Sequence, residues 1–196
     1  MTTINENTNT CLENIRKSVN LRRIDPLAVL TEDSPRFHEL VRDHDARHFI
    51  FGTLSNTIFP WEVYIDNTLC HKPGRRELWA VLHLNTPDQW PNLINIAGTL
   101  HGGAIATIVD GAAGILFASS GYRGMTANIS INYRKPIPLP SIVLCKALIE
   151  KVENRKVFVS VSIMNGDEQF GFMGGDDEQV NFVESDTLFV RFKKES

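Results

Sequence analysis

Hydrophobic positions recur with two different periods along the chain, and the change of period divides it. In residues 58–66 and 77–84 apolar and polar side chains alternate or run apolar for a few positions. These read as strands joined across a turn containing Lys72, Pro73 and Gly74. A polar, proline-containing loop follows at 85–92. Residues 102–120 are then apolar on nearly every side and rich in Gly and Ala, too long for a strand, and predict a helix. Strand patterns return at 125–134, 141–151 and 155–165, the last dense in β-branched and aromatic residues. A Gly- and acid-rich loop at 166–181 precedes a last strand at 185–191.

A helix with no polar face has to be enclosed. Antiparallel strands that follow it as a meander can curl around it, so the fold class is α+β. The N-terminal side looks different. Residues 1–10 are polar, 11–23 are basic and faintly amphipathic, and Ser34-Pro35 supplies a cap and first-turn proline for a helix over 34–47. The expected organisation is a helical arm at 1–54 and one domain at 55–196. In the arm His44 and His48 stand four residues apart and could share a helix face, with His38 nearby. Without a His-Glu-x-x-His pattern or a further ligand they are read as a solvated face, and no metal is expected.

Composition narrows the function classes. The chain has 196 residues, 42% hydrophobic and 22% charged, with a net charge of −3, which supports a buried core and argues against a nucleic-acid binder. No run of about 20 apolar residues is uninterrupted, so no membrane span is expected. The N-terminus lacks the pattern of a secretory signal, and Glu6 and Glu13 disfavour a transit peptide. A cytoplasmic location is expected, with the mitochondrial matrix as the alternative. Cys11, Cys70 and Cys145 are widely spaced and odd in number, consistent with free thiols in a reducing compartment.

Charge is unevenly distributed. Of the 34 residues between Asp88 and Arg123, about seven should be charged at the average frequency, yet Asp110 stands alone. Eight residues before it, His101-Gly102-Gly103 opens the predicted helix. The first N–H groups of a helix lack intrahelical partners, and with the helix dipole they suit a negatively charged oxygen. Acyl transfer generates such an oxyanion. Asn95 offers a further amide donor, and His101 a means of fixing Asn95 or the loop. A lone carboxylate on an apolar helix suits general-base work, with the Thr126 hydroxyl to orient it or the attacking water. Eight residues along a helix span about 12 Å, too far for Gly102 and Asp110 of one chain to flank one carbonyl carbon. Two such helices packed antiparallel about a two-fold axis would bring them together. Arg134, Lys135, Arg155 and Lys156 read as one basic patch suited to phosphates.

Three segments resemble the hotdog-fold acyl-coenzyme A (acyl-CoA) thioesterases, specifically the thioesterase-superfamily-member-four-like group, with phenylacetate-pathway thioesterases as wider relatives. They are His101-Gly-Gly-Ala-Ile-Ala-Thr-Ile-Val-Asp110, Met125-Thr-Ala-Asn-Ile-Ser-Ile-Asn-Tyr-Arg-Lys-Pro-Ile-Pro138 and Val152-Glu-Asn-Arg-Lys-Val-Phe-Val-Ser160, in family order and at family-like spacing. The resemblance covers about residues 55–193. It implies an antiparallel sheet wrapped around a long central helix and a homodimer, with a dimer of dimers as a further option. It assigns Asp110 as general base or nucleophile, Thr126 as its hydroxyl partner and Gly102 as the oxyanion donor. Asn95 would polarise the carbonyl with support from His101, although the four-like group lacks that asparagine. Asn132, Arg134 and Arg155 match positions that hold the coenzyme A nucleotide. The acidic loop at 166–181 is longer than the family's usual connection.

The expected activity is therefore hydrolysis of an acyl-CoA thioester without a metal or redox cofactor. The alternative is a non-enzymatic protein that binds an acyl ligand in the same pocket. A hotdog dehydratase fits poorly, because one Asp without a paired helix His does not supply an acid and a base to adjacent carbons.

Overall fold

The computed structural model describes residues 21–24, 61–66, 76–84, 93–166 and 181–193. Its elements are β1 (Leu21–Ile24), β2 (Trp61–Asp66), β3 (Glu77–Leu84), α1 (Gly102–Ser119), β4 (Gly124–Tyr133), β5 (Ser141–Glu153), β6 (Lys156–Asn165) and β7 (Asn181–Arg191). The strands form one sheet in the order β1-β2-β3-β5-β6-β7-β4, with every pairing antiparallel.

Three features of the sheet depart from the sequence reading. Leu21–Ile24, within the stretch expected to be a helical arm, is a strand that pairs with β2. The four late strands are not a simple meander. β5, β6 and β7 follow one another, but β4 lies beyond β7 and ends the sheet. The last strand also begins at Asn181, four residues before its apolar pattern becomes regular. The His-containing segment, Cys11, Cys70 and most of the acidic loop lie outside the described residues.

α1 crosses one face of the sheet. Ala104, Ile105, Ile108, Val109, Ala112, Ala113, Ile115, Leu116 and Phe117 are buried against Leu78, Ala80, Leu82, Val143, Cys145, Val159 and Val161. Each large aliphatic side chain buried there contributes about 1.5–3 kcal/mol. By length and composition alone α1 could cross a membrane, but here more than half of it is core. A second apolar cluster, Tyr64, Trp79, Val81, Leu144 and Met164, is buried on the opposite face of the sheet. β3 is thus buried on both faces, which explains its almost unbroken apolar run.

The helix is not enclosed all round. Gly103, Ala106, Thr107, Asp110 and Gly114, spaced at three and four residues, retain solvent access on a single stripe. A Cβ built on Gly114 would meet nothing within 4 Å. β4 borders this stripe and, among the described residues, has β7 as its single strand neighbour. Met125 and Tyr133 on that strand are exposed.

Candidate active site

The start of α1 is built by His101. Its extended backbone ends the preceding loop, and its Nδ1 accepts the Gly103 N–H at 2.9 Å as the helix N-cap. The first intrahelical bond runs from Ile105 N–H to the His101 carbonyl at 3.1 Å. Of the two glycine donors expected to be available, Gly103 is thus already engaged, while Gly102 N–H has no partner among the described residues. The Tyr133 ring lies 3.6–3.7 Å from where a Gly102 Cβ would stand, and its hydroxyl donates to the Gly102 carbonyl at 3.2 Å.

Asn95 lies in the loop before α1, where it organises a turn. Its Oδ1 accepts from Ala97 N–H at 2.9 Å and Thr99 N–H at 3.1 Å, and its Nδ2 donates to Thr99 Oγ1 at 2.8 Å. Gly98, with a φ of 76°, occupies the left-handed position of this turn. His101 does not contact Asn95 through Nδ1, which is committed to the cap. One amide hydrogen of Asn95 is spent on Thr99, leaving the other for any further acceptor.

Asp110 sits eight residues into α1, about 12 Å from Gly102. It is partly buried, and Thr126 Oγ1 donates to its Oδ1 at 2.9 Å. A β-bulge makes this contact. Thr126 pairs with Phe189 and Asn128 with Leu188, so Ala127 is an extra residue. On β7, Val183, Ser185, Thr187 and Phe189 point to the helix side, and their partners on β4 are Tyr133, Ile131, Ile129 and Thr126. Counting by twos back from Tyr133 would reach Ala127 and Met125 instead. The bulge brings Thr126 onto the helix-facing side and leaves Met125 on the other.

The basic residues do not form one patch within a chain. Arg134 and Lys135 follow β4, where both backbone N–H groups donate to Phe182 O. Arg155 and Lys156 stand beside Arg191 and Val190 at the other end of β7. Eight residue steps along β7, from Phe182 to Val190, or about 27 Å, separate the two pairs. Arg134 is also occupied, with Nε and Nη2 each 2.9 Å from Glu184 Oε2. The Asn181 amide and this guanidinium hold the Glu184 carboxyl below the usual carboxylate range. Asn132, exposed, pairs with Glu184 across β4 and β7.

At the Arg155 end the structure adds residues that the linear sequence did not single out. Arg155 Nε donates to Arg191 O at 2.8 Å, Arg191 lies over the Tyr122 ring, and Phe192 N–H donates to Arg123 O at 2.9 Å. Arg76 and Arg123 donate to the last carbonyls of α1, at Ser119 and Ala118 respectively. Cations are favourable at that end of a helix. No group of three or more His, Cys, Asp or Glu residues able to hold a metal occurs among the described residues.

Residues 97–171 match the model of the thioesterase superfamily. Among curated proteins, the chain is 39% identical over 104 residues to acyl-coenzyme A thioesterase THEM4 of Mus musculus, covering 53% of this chain and 40% of that protein. The match therefore spans less than half of the relative. A protein of Candida albicans (strain WO-1) described as uncharacterized and mitochondrial is 26% identical over 141 residues, covering 63% of this chain and 60% of its own. Among solved structures, zebra fish thioesterase superfamily member 2 superposes with a TM-score of 0.53 at 18% identity, over 80% of this chain and 97% of that one. That likeness establishes the hotdog fold expected from the three motifs.

Proposed function

From the thioesterase-superfamily match over 97–171, we propose that this chain hydrolyses an acyl-CoA thioester to a free acid and coenzyme A. The observation that carries the reading is the Thr126–Asp110 hydrogen bond on a helix whose first N–H, at Gly102, is open. The Thr126 hydroxyl donates its only proton to one carboxylate oxygen, which leaves the other free to accept from water. Asp110 takes a proton from that water as its oxygen attacks the carbonyl carbon. Gly102 N–H stabilises the oxyanion that forms, and Asn95 offers its remaining amide hydrogen. Collapse breaks the C–S bond, and the departing sulfur takes up a proton to give the thiol. Direct attack by Asp110, followed by hydrolysis of the resulting anhydride, reaches the same products. Neither route transfers electrons or needs a resident cofactor.

The roughly 12 Å of helix between Gly102 and Asp110 calls for two chains, so the site combines Gly102 of one protomer with Asp110 of another in a homodimer. The accessible stripe on α1 and the end position of β4 support this arrangement. Arg155 and Lys156 lie at the end of the sheet nearer Thr126 and bind the coenzyme A phosphates. Arg134, Lys135 and Asn132 make the corresponding contribution from the other end. The mitochondrial description of the Candida relative supports a mitochondrial setting as the alternative to the cytoplasm.

The test is thiol release by purified protein over short, medium, long and aryl acyl-CoAs, together with its sedimentation at the assay concentration. Thiol release that disappears in Asp110→Ala is the expected result. Tight acyl-CoA binding without thiol release would instead identify a ligand-binding protein, and full activity in a monomer would exclude the shared site.

A further inference from the structure

We propose that Tyr133 is a positioning residue for the Gly102 donor, an inference that rests on the oxyanion role given to Gly102 above. The peptide unit joining Gly102 to Gly103 lies in the first turn of α1 and has no side chain on either flank, so contacts from outside the helix add to the helical geometry in holding it. The structure grips it at both ends. The Gly102 carbonyl accepts from the Tyr133 hydroxyl at 3.2 Å, and the Gly103 N–H donates to His101 Nδ1 at 2.9 Å. The Tyr133 ring also stands 3.6–3.7 Å from where a Gly102 Cβ would be, covering the open side of that glycine. The Gly102 N–H belongs to the preceding peptide unit, whose His101 carbonyl accepts from Ile105 N–H at 3.1 Å. Holding the unit on the other side of Gly102 as well restricts rotation about its Cα and with it the direction of that N–H. An oxyanion donor preorganised in this way costs no reorientation when charge develops.

Tyr133 is itself held firmly. It is the last residue of β4, paired with Val183, and the next two N–H groups both bond Phe182 O. The ring is nevertheless 54% exposed, so burial of apolar surface does not account for an aromatic residue at this position. It lies on the helix-facing side of β4 with Ile129, Ile131 and Thr126, so one strand braces the oxyanion donor at one end and the base at the other.

The experiment compares wild type with Tyr133→Phe, which keeps the ring and removes the hydroxyl, and with Tyr133→Leu, which removes both. Two readouts are taken: steady-state thiol release from an acyl-CoA, and backbone amide exchange at Gly102 and Gly103 by NMR. Tyr133→Phe should lower kcat roughly twofold to tenfold, the worth of one neutral hydrogen bond, with KM within twofold. Amide exchange at both glycines should quicken, and Tyr133→Leu should go further on both counts. Wild-type kcat or wild-type exchange rates in Tyr133→Phe would overturn the proposal. If wild type releases no thiol from any acyl-CoA, the hydrolase reading fails, and the exchange rates alone still decide whether Tyr133 clamps this peptide.

Discussion

Thr126 Oγ1 stands 2.9 Å from Asp110 Oδ1, and the two residues meet because Ala127 is inserted between paired positions of β4. The hydroxyl orients the carboxylate, and the helix carries the carboxylate to the open side of the sheet. Removing either half of this pair should affect turnover far more than folding, since both retain solvent access.

Asp110→Asn should lower kcat by about 10²–10⁴-fold, the usual contribution of a positioned base. Circular dichroism and the melting temperature should stay close to wild type. Steady-state hydrolysis equal to wild type across an acyl-CoA panel would remove Asp110 from the mechanism.

Thr126→Val removes a hydrogen bond to a charged group, worth roughly 10- to 150-fold in rate if it is fully expressed in the transition state. Met125 points to the other side of β4, so the double variant Met125→Thr, Thr126→Val should recover nothing. Rescue by that double variant would show that the strand lacks the bulge in solution.

Arg155→Gln and Lys156→Gln should each raise KM for acyl-CoA by roughly twofold to fivefold, the worth of an exposed ion pair. Neither should change KM for the matching S-acyl-pantetheine, which lacks the nucleotide. Arg134→Gln should have the smaller effect, because its guanidinium is already paired with Glu184. Equal effects on the two substrates would place these cations away from the phosphates.

Ser185 and Thr187 are buried on the helix side of β7, and neither hydroxyl has a partner among the described residues. An unpaired buried hydroxyl costs about 1–3 kcal/mol. Thr187→Val, which keeps the shape, should therefore raise stability by ~1 kcal/mol in urea titrations. A lower urea midpoint would reveal a partner for that hydroxyl.

Burial pushes the Cys145 thiol from its ordinary 9.0 up to about 12. The native state thus keeps its proton through a range where the unfolded chain has lost it. This contribution to stability is complete below about pH 9 and declines as pH rises towards 12. Urea midpoints measured at pH 8 and pH 10.5 should fall more steeply for wild type than for Cys145→Ala. Parallel slopes would mean that the thiol is accessible.

Much of this was legible in the linear sequence for identifiable reasons. The 77–84 strand and the helix from Gly102 were sharply bounded because both are buried and their apolar patterns are dense. Asp110 stood out because a charge in such a helix has no structural use. What escaped were features that depend on pairing. Leu21–Ile24 is too short for a period to identify it as a strand. The bulge is invisible without the β7 register, although Thr126 could be chosen as a partner for Asp110 without it. The position of β4 beyond β7 separates Arg134 from Arg155, which sequence proximity had grouped together. The residue type of Asn95 suggests a donor, whereas its local geometry commits three of its hydrogen bonds to the turn at 95–99.

The inserted residue in β4 gives this site an unusual form of fragility. Side-chain direction along a strand has a period of two, so losing one residue reverses everything on one side of the loss. An in-frame deletion of Ala127 would cost no side chain larger than a methyl, yet the lost backbone unit would force the strand to choose. Either Thr126 turns away from Asp110, or Ile129, Ile131 and Tyr133 turn away from the core and the helix. Chemistry and stability are thus coupled through strand register, so the length of β4 matters at position 127 as well as the residue that fills it.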